Sequence, residues 1–87
     1  GATFENVDQA THKQLGITRG VRIKVLKTGP WKQSGLQQGF VITAIDREPV
    51  ESLDQFANIL NRKTGGILVE GCYQNGTKIY SAVDLGN

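Results

Sequence analysis

The sequence predicts an α+β domain that is mainly β, with five or six antiparallel strands, one main helix and two short helices. Three stretches carry this prediction. Residues 21–25 alternate apolar with basic side chains, which is the period of a strand with one wet face. Apolar residues in 53–60 recur at the helical spacing i, i+3, i+4 and i+7. Asn75-Gly76, between two strand-like runs, is the strongest short hairpin signal.

Length and charge limit the classes of function. The 87 residues make one small domain that can bury roughly 60% of its unfolded surface. A net charge of +2 is too small to imply nucleic-acid binding. No apolar run approaches the ~18–20 residues of a membrane span, and the first residues do not resemble a signal peptide.

The charges are unevenly distributed along the chain. All charged residues from 9 to 45 are basic, and four acids follow within 46–54. The simpler interpretation is a solvated surface on which the two signs compensate. The alternative is a basic strand face near a ligand groove, which favours acidic partners. The basic residues are Lys13, Arg19, Arg22, Lys24, Lys27 and Lys32.

The elements follow one another with recognisable boundaries. Residues 1–7 alternate loosely and predict a strand. Asp8 can cap a short helix over 8–15, with Gly16 as its C′ residue. Pro30, whose φ is preset for a first helical turn, predicts a second short helix over 30–35. Ser52 with Gln55 forms a capping box that begins the main helix, over 52–62.

The C-terminal third reads as a hairpin. Runs 67–74 and 77–85 flank the turn signal, and a two-residue turn pairs Gly71 with Tyr80 and Cys72 with Ile79. In this register we expect the Tyr80 ring to shield Gly71.

Catalytic and metal chemistry find little support in the residue pattern. His12, the only histidine, lies in a polar helical stretch, which predicts an exposed side chain. Cys72 is the only cysteine, so no internal disulfide can form, and its strand-like surroundings predict burial. Acids at 46, 48 and 51 surround a turn, and no acidic, His or Cys set has metal-ligand spacing. We expect no catalysis, no cofactor and no metal.

Residues 20–50 contain several short motifs in a characteristic order and spacing. Gly-Val opens a strand at 20–21, Gly-Pro stands at 29–30, Ser-Gly-Leu at 34–36, a glycine at 39 and Val-Ile at 41–42. This order and spacing closely resembles a PDZ domain, most of all the second PDZ domain of bacterial HtrA/Deg-type, trypsin-like serine proteases. The flanks also fit, so the resemblance covers nearly the whole chain. It implies a PDZ-like, partly open barrel with permuted strand order, with 1–87 as one domain cut from a longer protease chain in the periplasm or another extracytoplasmic space.

The resemblance also implies a function. In such proteases the domain is a non-catalytic module of protein quality control that binds extended or C-terminal segments of substrate proteins. The segment adds as a strand between strand 3–7 and helix 52–62. The partners it implies are protein C-termini, misfolded proteins, the protease domain and other subunits, with no nucleic acid. By resemblance the peptide-binding residues are Gly1, Ala2, Thr3, Phe4, Glu5, Asn6, Leu53, Ala57 and Leu60, while Phe56 and Ile59 face the core.

The terminal carboxylate has two candidate positions. The family holds it with backbone N–H groups before the binding strand, here Gly1-Ala2-Thr3. In the family this loop has an apolar-Gly-apolar pattern, of which Gly1-Ala2-Thr3 is a remnant, whereas Leu15-Gly16-Ile17 is a rival loop in which the pattern is intact.

Departures from the family pattern suggest an alternative function. Phe40 stands where an aspartate is usual, and Trp31 where a small residue is usual. Both can reflect local repacking, or they can form an exposed aromatic patch for docking. In the second case the chain is an inter-subunit or inter-domain assembly module without free-peptide binding, and its surface comprises Arg22, Lys24, Trp31 and Phe40.

Overall fold

The computed structural model describes residues 2–86, and its helices and strands lie close to the bounds predicted from the sequence. In chain order they are β1 (Ala2–Asn6), α1 (Gln9–Leu15), β2 (Val21–Leu26), α2 (Pro30–Gln33), β3 (Val41–Ile45), β4 (Glu48–Pro49), α3 (Leu53–Asn61), β5 (Gly66–Cys72) and β6 (Lys78–Asp84).

The strands form a single open sheet in which every pairing is antiparallel. The order across the sheet is β1-β2-β3-β5-β6, and the short β4 pairs with β3. The predicted mainly-β fold with up to six antiparallel strands, one main helix and two short helices is therefore confirmed. Within residues 2–86, none of the helices combines the length and apolarity that a membrane crossing requires.

The predicted helix caps hold the helices in place. The Asp8 carboxylate accepts a hydrogen bond from the Thr11 N–H at 2.7 Å. Ser52 Oγ accepts one from the Gln55 N–H at 3.3 Å. The Gln55 side chain accepts the Glu51 N–H at 2.8 Å, one residue before the position that a standard capping box uses. Both helix starts are thus stabilised by side chains.

Two apolar clusters lie on opposite faces of the sheet, because successive strand side chains point to opposite sides. The larger one packs the sheet against α2 and α3, with Ile42 and Ile59 fully buried in it. The smaller one lies under α1 and the segment after it, and comprises Val7, Val41 and Cys72 with Leu15 and Ile17 packed against them. The predicted burial of Cys72 is confirmed.

The predicted exposed aromatic patch is wrong. Trp31 is only 7% exposed and Phe40 is fully buried in the larger core. Their rings pack on other aromatic rings: Trp31 against Phe4 at 5.2 Å between centroids, and Phe40 against Tyr73 at 5.0 Å. Burying a large apolar ring is more favourable than leaving it in water. The interpretation of Trp31 and Phe40 as local repacking is therefore the correct one.

The predicted hairpin register is wrong by one residue. Gly71 pairs with Ile79 and Tyr80 pairs with Glu70. The Gly76 N–H bonds to the Tyr73 carbonyl and the Tyr73 N–H to the Thr77 carbonyl, which makes a three-residue loop with Gly76 at φ 89°. The Tyr80 ring therefore lies away from Gly71.

Gly71 is covered from the core side instead. A Cβ at Gly71 would lie 1.9 Å from the Val41 carbonyl oxygen and 2.7 Å from the Phe40 ring. Phe40 therefore occupies the space that a side chain at Gly71 would need.

His12 also differs from expectation. Its side chain is half-buried rather than exposed, and its Nε2 is enclosed without a hydrogen-bond partner among the described residues.

Candidate functional site

The first strand of the chain is an edge of the sheet. β1 pairs with β2 on one side only, and residues 2–6 make no described backbone hydrogen bonds beyond that pairing. Its outer N–H and C=O groups are therefore available for another strand.

Helix α3 lies beside this edge and runs antiparallel to it. The Leu53 N–H, at the start of α3, donates to Asn6 Oδ1 at the end of β1 at 2.9 Å. One turn further, the Phe56 ring contacts the Phe4 ring at 4.6 Å between centroids. Residue numbers rise along the helix as they fall along the strand, so the C-terminal half of α3 lies towards Ala2.

Aromatic rings support the space between β1 and α3. Phe4, Trp31 and Phe56 contact one another, with centroids 4.6–6.0 Å apart. Trp31 and Phe56 are buried, while Phe4 is half-buried on β1. These three residues, which we call the aromatic triad, fix the position of α3 relative to the edge strand. Sequence reasoning missed this role of Trp31.

The face of α3 next to the triad is apolar and partly open. Leu53, Ala57 and Leu60 share one side of the helix, since residues three and four apart stack. Leu53 and Leu60 are half-buried and Ala57 is exposed. Phe56 and Ile59 are buried in the core, as predicted.

Most of the predicted peptide-binding residues are brought together. Ala2 to Asn6 form the edge strand, with Leu53, Ala57 and Leu60 on the neighbouring helix; we call this set the β1–α3 slot. Gly1, the remaining predicted residue, lies outside the described part of the chain. The roles of these residues towards a peptide stay predictions.

The side chain of Glu5 is already engaged. Its carboxylate accepts a hydrogen bond from Arg22 Nε at 3.1 Å, and the same guanidinium reaches Thr11 Oγ1 at 3.4 Å and Asp8 at 4.0 Å. Glu5 therefore contributes its backbone to the edge, while its side chain ties β1 to β2 and α1.

These contacts give Arg22 a structural role. Its side chain is 19% exposed, so it is not a free basic group for docking, whereas Lys24 is exposed. Hydrogen bonds from Thr11, aided by the charges of Arg22 and His12, lower the pKa of Asp8. Asp8 therefore caps α1 as a carboxylate down to a lower pH than an ordinary aspartate would.

The alternative assignment of the carboxylate-binding loop to Leu15-Gly16-Ile17 is wrong. Gly16 ends α1 in the left-handed conformation, and its N–H and that of Ile17 both donate to the His12 carbonyl. A carboxylate-binding loop needs such N–H groups to be free. Leu15 and Ile17 pack into the smaller apolar cluster instead.

A cavity of about 350 Å³ lies beside this loop on the face of the sheet opposite the larger core. Sequence reasoning gave no sign of it. Arg19, Cys72, Lys78 and Tyr80 contribute to its walls. Burial raises the pKa of the Cys72 thiol, so the thiol is protonated and unreactive at neutral pH. Among residues 2–86, no cluster of acidic, His and Cys side chains is placed to hold a metal ion.

Known proteins resemble this chain in structure, whereas comparison of sequences finds no match. No family model and no curated protein matches the sequence. Among solved structures, the chain superimposes on the HtrA-type protease AlgW with a decapeptide at a TM-score of 0.79 and 23% identity, covering 99% of this chain and 28% of that one. AlgW with a tripeptide gives 0.80 and 24%, covering 99% and 30%.

A separate PDZ domain gives a similar result. The PDZ domain of HtrA3, bound to a phage-derived ligand, matches at a TM-score of 0.80 and 13% identity, covering 97% of this chain and 80% of that one. This chain thus spans less than a third of the AlgW chains but most of the isolated domain. Residues 2–86 have the fold of a PDZ domain, as found in HtrA-type proteases.

Proposed function

We propose that this chain is a non-catalytic peptide-binding module that takes an extended or C-terminal segment of another protein as an additional strand on β1. The observation that carries the proposal is the β1–α3 slot, in which an unpaired strand edge lies beside an apolar helix face. Main-chain hydrogen bonds to β1 supply affinity for many sequences, and side chains on α3 select among them.

The proposed direction of the bound segment rests on the predicted carboxylate position at the start of β1. A peptide whose terminal carboxylate meets the start of β1 runs antiparallel to that strand. Its last side chain then lies near the C-terminal half of α3, beside Ala57 and Leu60. A small or medium apolar residue fits such a surface, and we expect micromolar affinity, roughly −8 kcal/mol.

The solved structures support the proposal by their contents. The AlgW structures contain a decapeptide or a tripeptide, and the HtrA3 domain contains a phage-derived ligand. By this likeness we propose that the chain serves an HtrA-type serine protease outside the cytoplasm, where ends of misfolded proteins are its partners.

An NMR titration tests the proposal. Unstructured peptides ending in Ala, Val or Leu are added to the labelled chain, each with a free and with an amidated C-terminus. We expect amide shifts on residues 2–6 and 53–60, larger with free carboxylates. Shifts confined to other surfaces would refute the slot as the site.

A matched pair of variants sharpens the test. Ala57 and Ala10 are both exposed helical alanines, but only Ala57 faces the slot. Ala57→Arg should weaken peptide binding at least tenfold, about 1.4 kcal/mol. Ala10→Arg should leave it unchanged, because α1 lies away from the slot.

A further inference from the structure

We propose that the opposite edge of the sheet, β6, is a self-association surface on which a second copy of this chain pairs antiparallel about Ser81. β6 is the last strand in the sheet order and pairs only with β5. Residues 78–84 make no described backbone hydrogen bonds beyond that pairing.

The ladder shows which backbone groups point outwards. The Tyr73 N–H bonds to the Thr77 carbonyl at one end of the β5–β6 ladder, and the Leu85 N–H bonds to the Gly65 carbonyl at the other. Hydrogen-bonded and non-bonded pairs alternate along an antiparallel ladder. The odd-numbered residues of β6 therefore bond to β5, and the even-numbered ones turn their N–H and C=O groups away from the sheet.

The even-numbered residues of β6 are complementary to the same residues in a second, antiparallel copy of the strand. Pairing about Ser81 puts Lys78 opposite Asp84 of the second copy, and Tyr80 opposite its Ala82. Asp84 Oδ1 accepts the Gly86 N–H at 2.9 Å, which leaves the other carboxylate oxygen for the lysine. Opposite charges are a favourable cross-strand pair, and the small Ala82 side chain leaves room for the Tyr80 ring.

Neighbouring registers lose this match. Shifting by one residue would place the core face of one copy beside the outer face of the other, because the side-chain period of a strand is two. Shifting by two residues would separate Lys78 from Asp84. The charges thus select the register centred on Ser81.

A second observation points to the same surface. In the described part of the chain, Leu68 at 37% and Tyr80 at 69% are the exposed large hydrophobic residues. Leu68 pairs with Ala82 across β5 and β6. In the proposed dimer the Tyr80 ring of one copy therefore meets Ala82 and, beyond it, Leu68 of the other, so both exposed side chains lose contact with water.

The proposed dimer leaves the β1–α3 slots unobstructed. The slots lie at the two far edges of the joined sheet, so two copies present two binding strands. If both slots bind segments of one substrate protein, avidity exceeds the affinity of either slot.

Sedimentation velocity of the 87-residue chain over a range of concentrations tests the pairing. We expect a weak dimer, with a dissociation constant between about 1 µM and 1 mM. Lys78→Asp puts two carboxylates opposite each other, and Asp84→Lys puts two ammonium groups opposite each other. Each single variant should raise the dissociation constant at least about tenfold, since like charges replace opposite ones at both ends of the pairing.

Two complementary samples distinguish this register from a general charge effect. The double variant Lys78→Asp/Asp84→Lys should return the dissociation constant to within about threefold of the starting value. An equimolar mixture of the two single variants should form a heterodimer, because each supplies the charge that the other lacks.

Several results would overturn the proposal. If the chain stayed monomeric at every concentration, the proposal would be refuted. A dimer that neither single variant weakens would also refute it, because such a dimer would use another surface. Loss of the dimer in the double variant would exclude the register about Ser81. Peptide binding at β6 of a monomeric chain would make the edge a second receptor and equally contradict self-association. None of these results bears on peptide binding at β1.

Discussion

The two edges of the sheet offer the same backbone groups in different surroundings. Beside β1 lies α3, joined to the strand by the Asn6–Leu53 hydrogen bond and supported by the aromatic triad. Beside β6 the described contact is with the end of α2, where Ser81 Oγ donates to the Ser34 carbonyl at 3.5 Å, on the core side of the strand. The outward side chains of β6 are exposed.

This difference determines what each edge can select. A strand edge alone binds through its backbone, and discrimination needs side chains placed beside the added strand. α3 supplies those side chains at β1, so β1 can choose among foreign peptides. β6 has only its own side chains, whose charges at 78 and 84 match those of a second copy paired about Ser81.

The largest contrast between the edges should appear in stability. Phe56 is 3% exposed and central to the aromatic triad, so Phe56→Ala should lower the free energy of unfolding by about 3–5 kcal/mol. Tyr80→Ala, at the other edge, removes a ring that is 69% exposed and should change it by less than about 0.5 kcal/mol. Urea unfolding at low protein concentration measures both. A loss for Phe56→Ala as small as the loss for Tyr80→Ala would show that the Phe56 ring adds little to the stability of the fold.

Hydrogen exchange should resolve the β6 edge residue by residue. The amides of Ile79, Ser81 and Val83 bond to β5 and should exchange about a hundredfold more slowly than those of Tyr80 and Ala82, which point outwards. NMR-detected exchange in dilute solution gives the rates. Uniform protection along β6 would contradict the ladder phase on which the self-pairing rests. Added peptide should slow exchange in β1 and leave this alternation unchanged.

Asn6 offers a smaller test of the link between β1 and α3. Asn6→Ala removes the acceptor of the Leu53 N–H and should cost about 1 kcal/mol of stability, with weaker peptide binding as the helix start loosens. Asn58→Ala is the matched control, because Asn58 is an exposed asparagine on α3 without a described side-chain bond. Thermal unfolding and the NMR titration measure both effects. If the two variants behaved alike, the Asn6 bond would contribute nothing to the slot.

Local signals in the sequence were sufficient for the elements near β1. The caps at Asp8 and Ser52 and the division of α3 into a buried and an open face depend on spacings within one helix. Such spacings act over a few residues and survive any tertiary arrangement. The pairing of β1 with α3 came from the PDZ resemblance, since no local pattern states which distant element covers an edge.

The errors near β6 came from choices that local chemistry leaves open. Asn75-Gly76 suits a two-residue turn and also a three-residue loop ending in a left-handed glycine. The choice is made by the core, which requires Ile67 and Val83 to share a face, as they do in the observed register. In the sequence, Ile67, Leu68 and Val69 are all apolar, so the pattern alone does not choose between the two registers. The burial of Trp31 and Phe40 depends on partners far along the chain, which composition does not reveal.

The smallest expected effect depends on pH and concerns a contact inside the sheet, away from both edges. Asp46 Oδ1 accepts the Leu68 N–H at 2.8 Å on the side of β5 that faces β3, and Asp46 Oδ2 lies 3.1 Å from Lys63 Nζ. The Leu68 hydrogen bond, and after it Lys63, lower the pKa of Asp46. A lowered carboxyl pKa stabilises the fold above the unfolded value of about 3.9, and this contribution is lost as the pH falls through the folded value.

Asp46→Asn should therefore cost a few tenths of a kcal/mol at pH 7, as is usual for an exposed group, and nothing measurable near pH 2. Lys63→Gln removes only the ion pair and should cost less, because the hydrogen bond to Leu68 remains. Urea unfolding of the three proteins at both pH values measures the differences. A cost for Asp46→Asn that persists at low pH would assign the effect to lost packing in the turn, and the charge of Asp46 would then have no part in holding β5 beside the turn between β3 and β4.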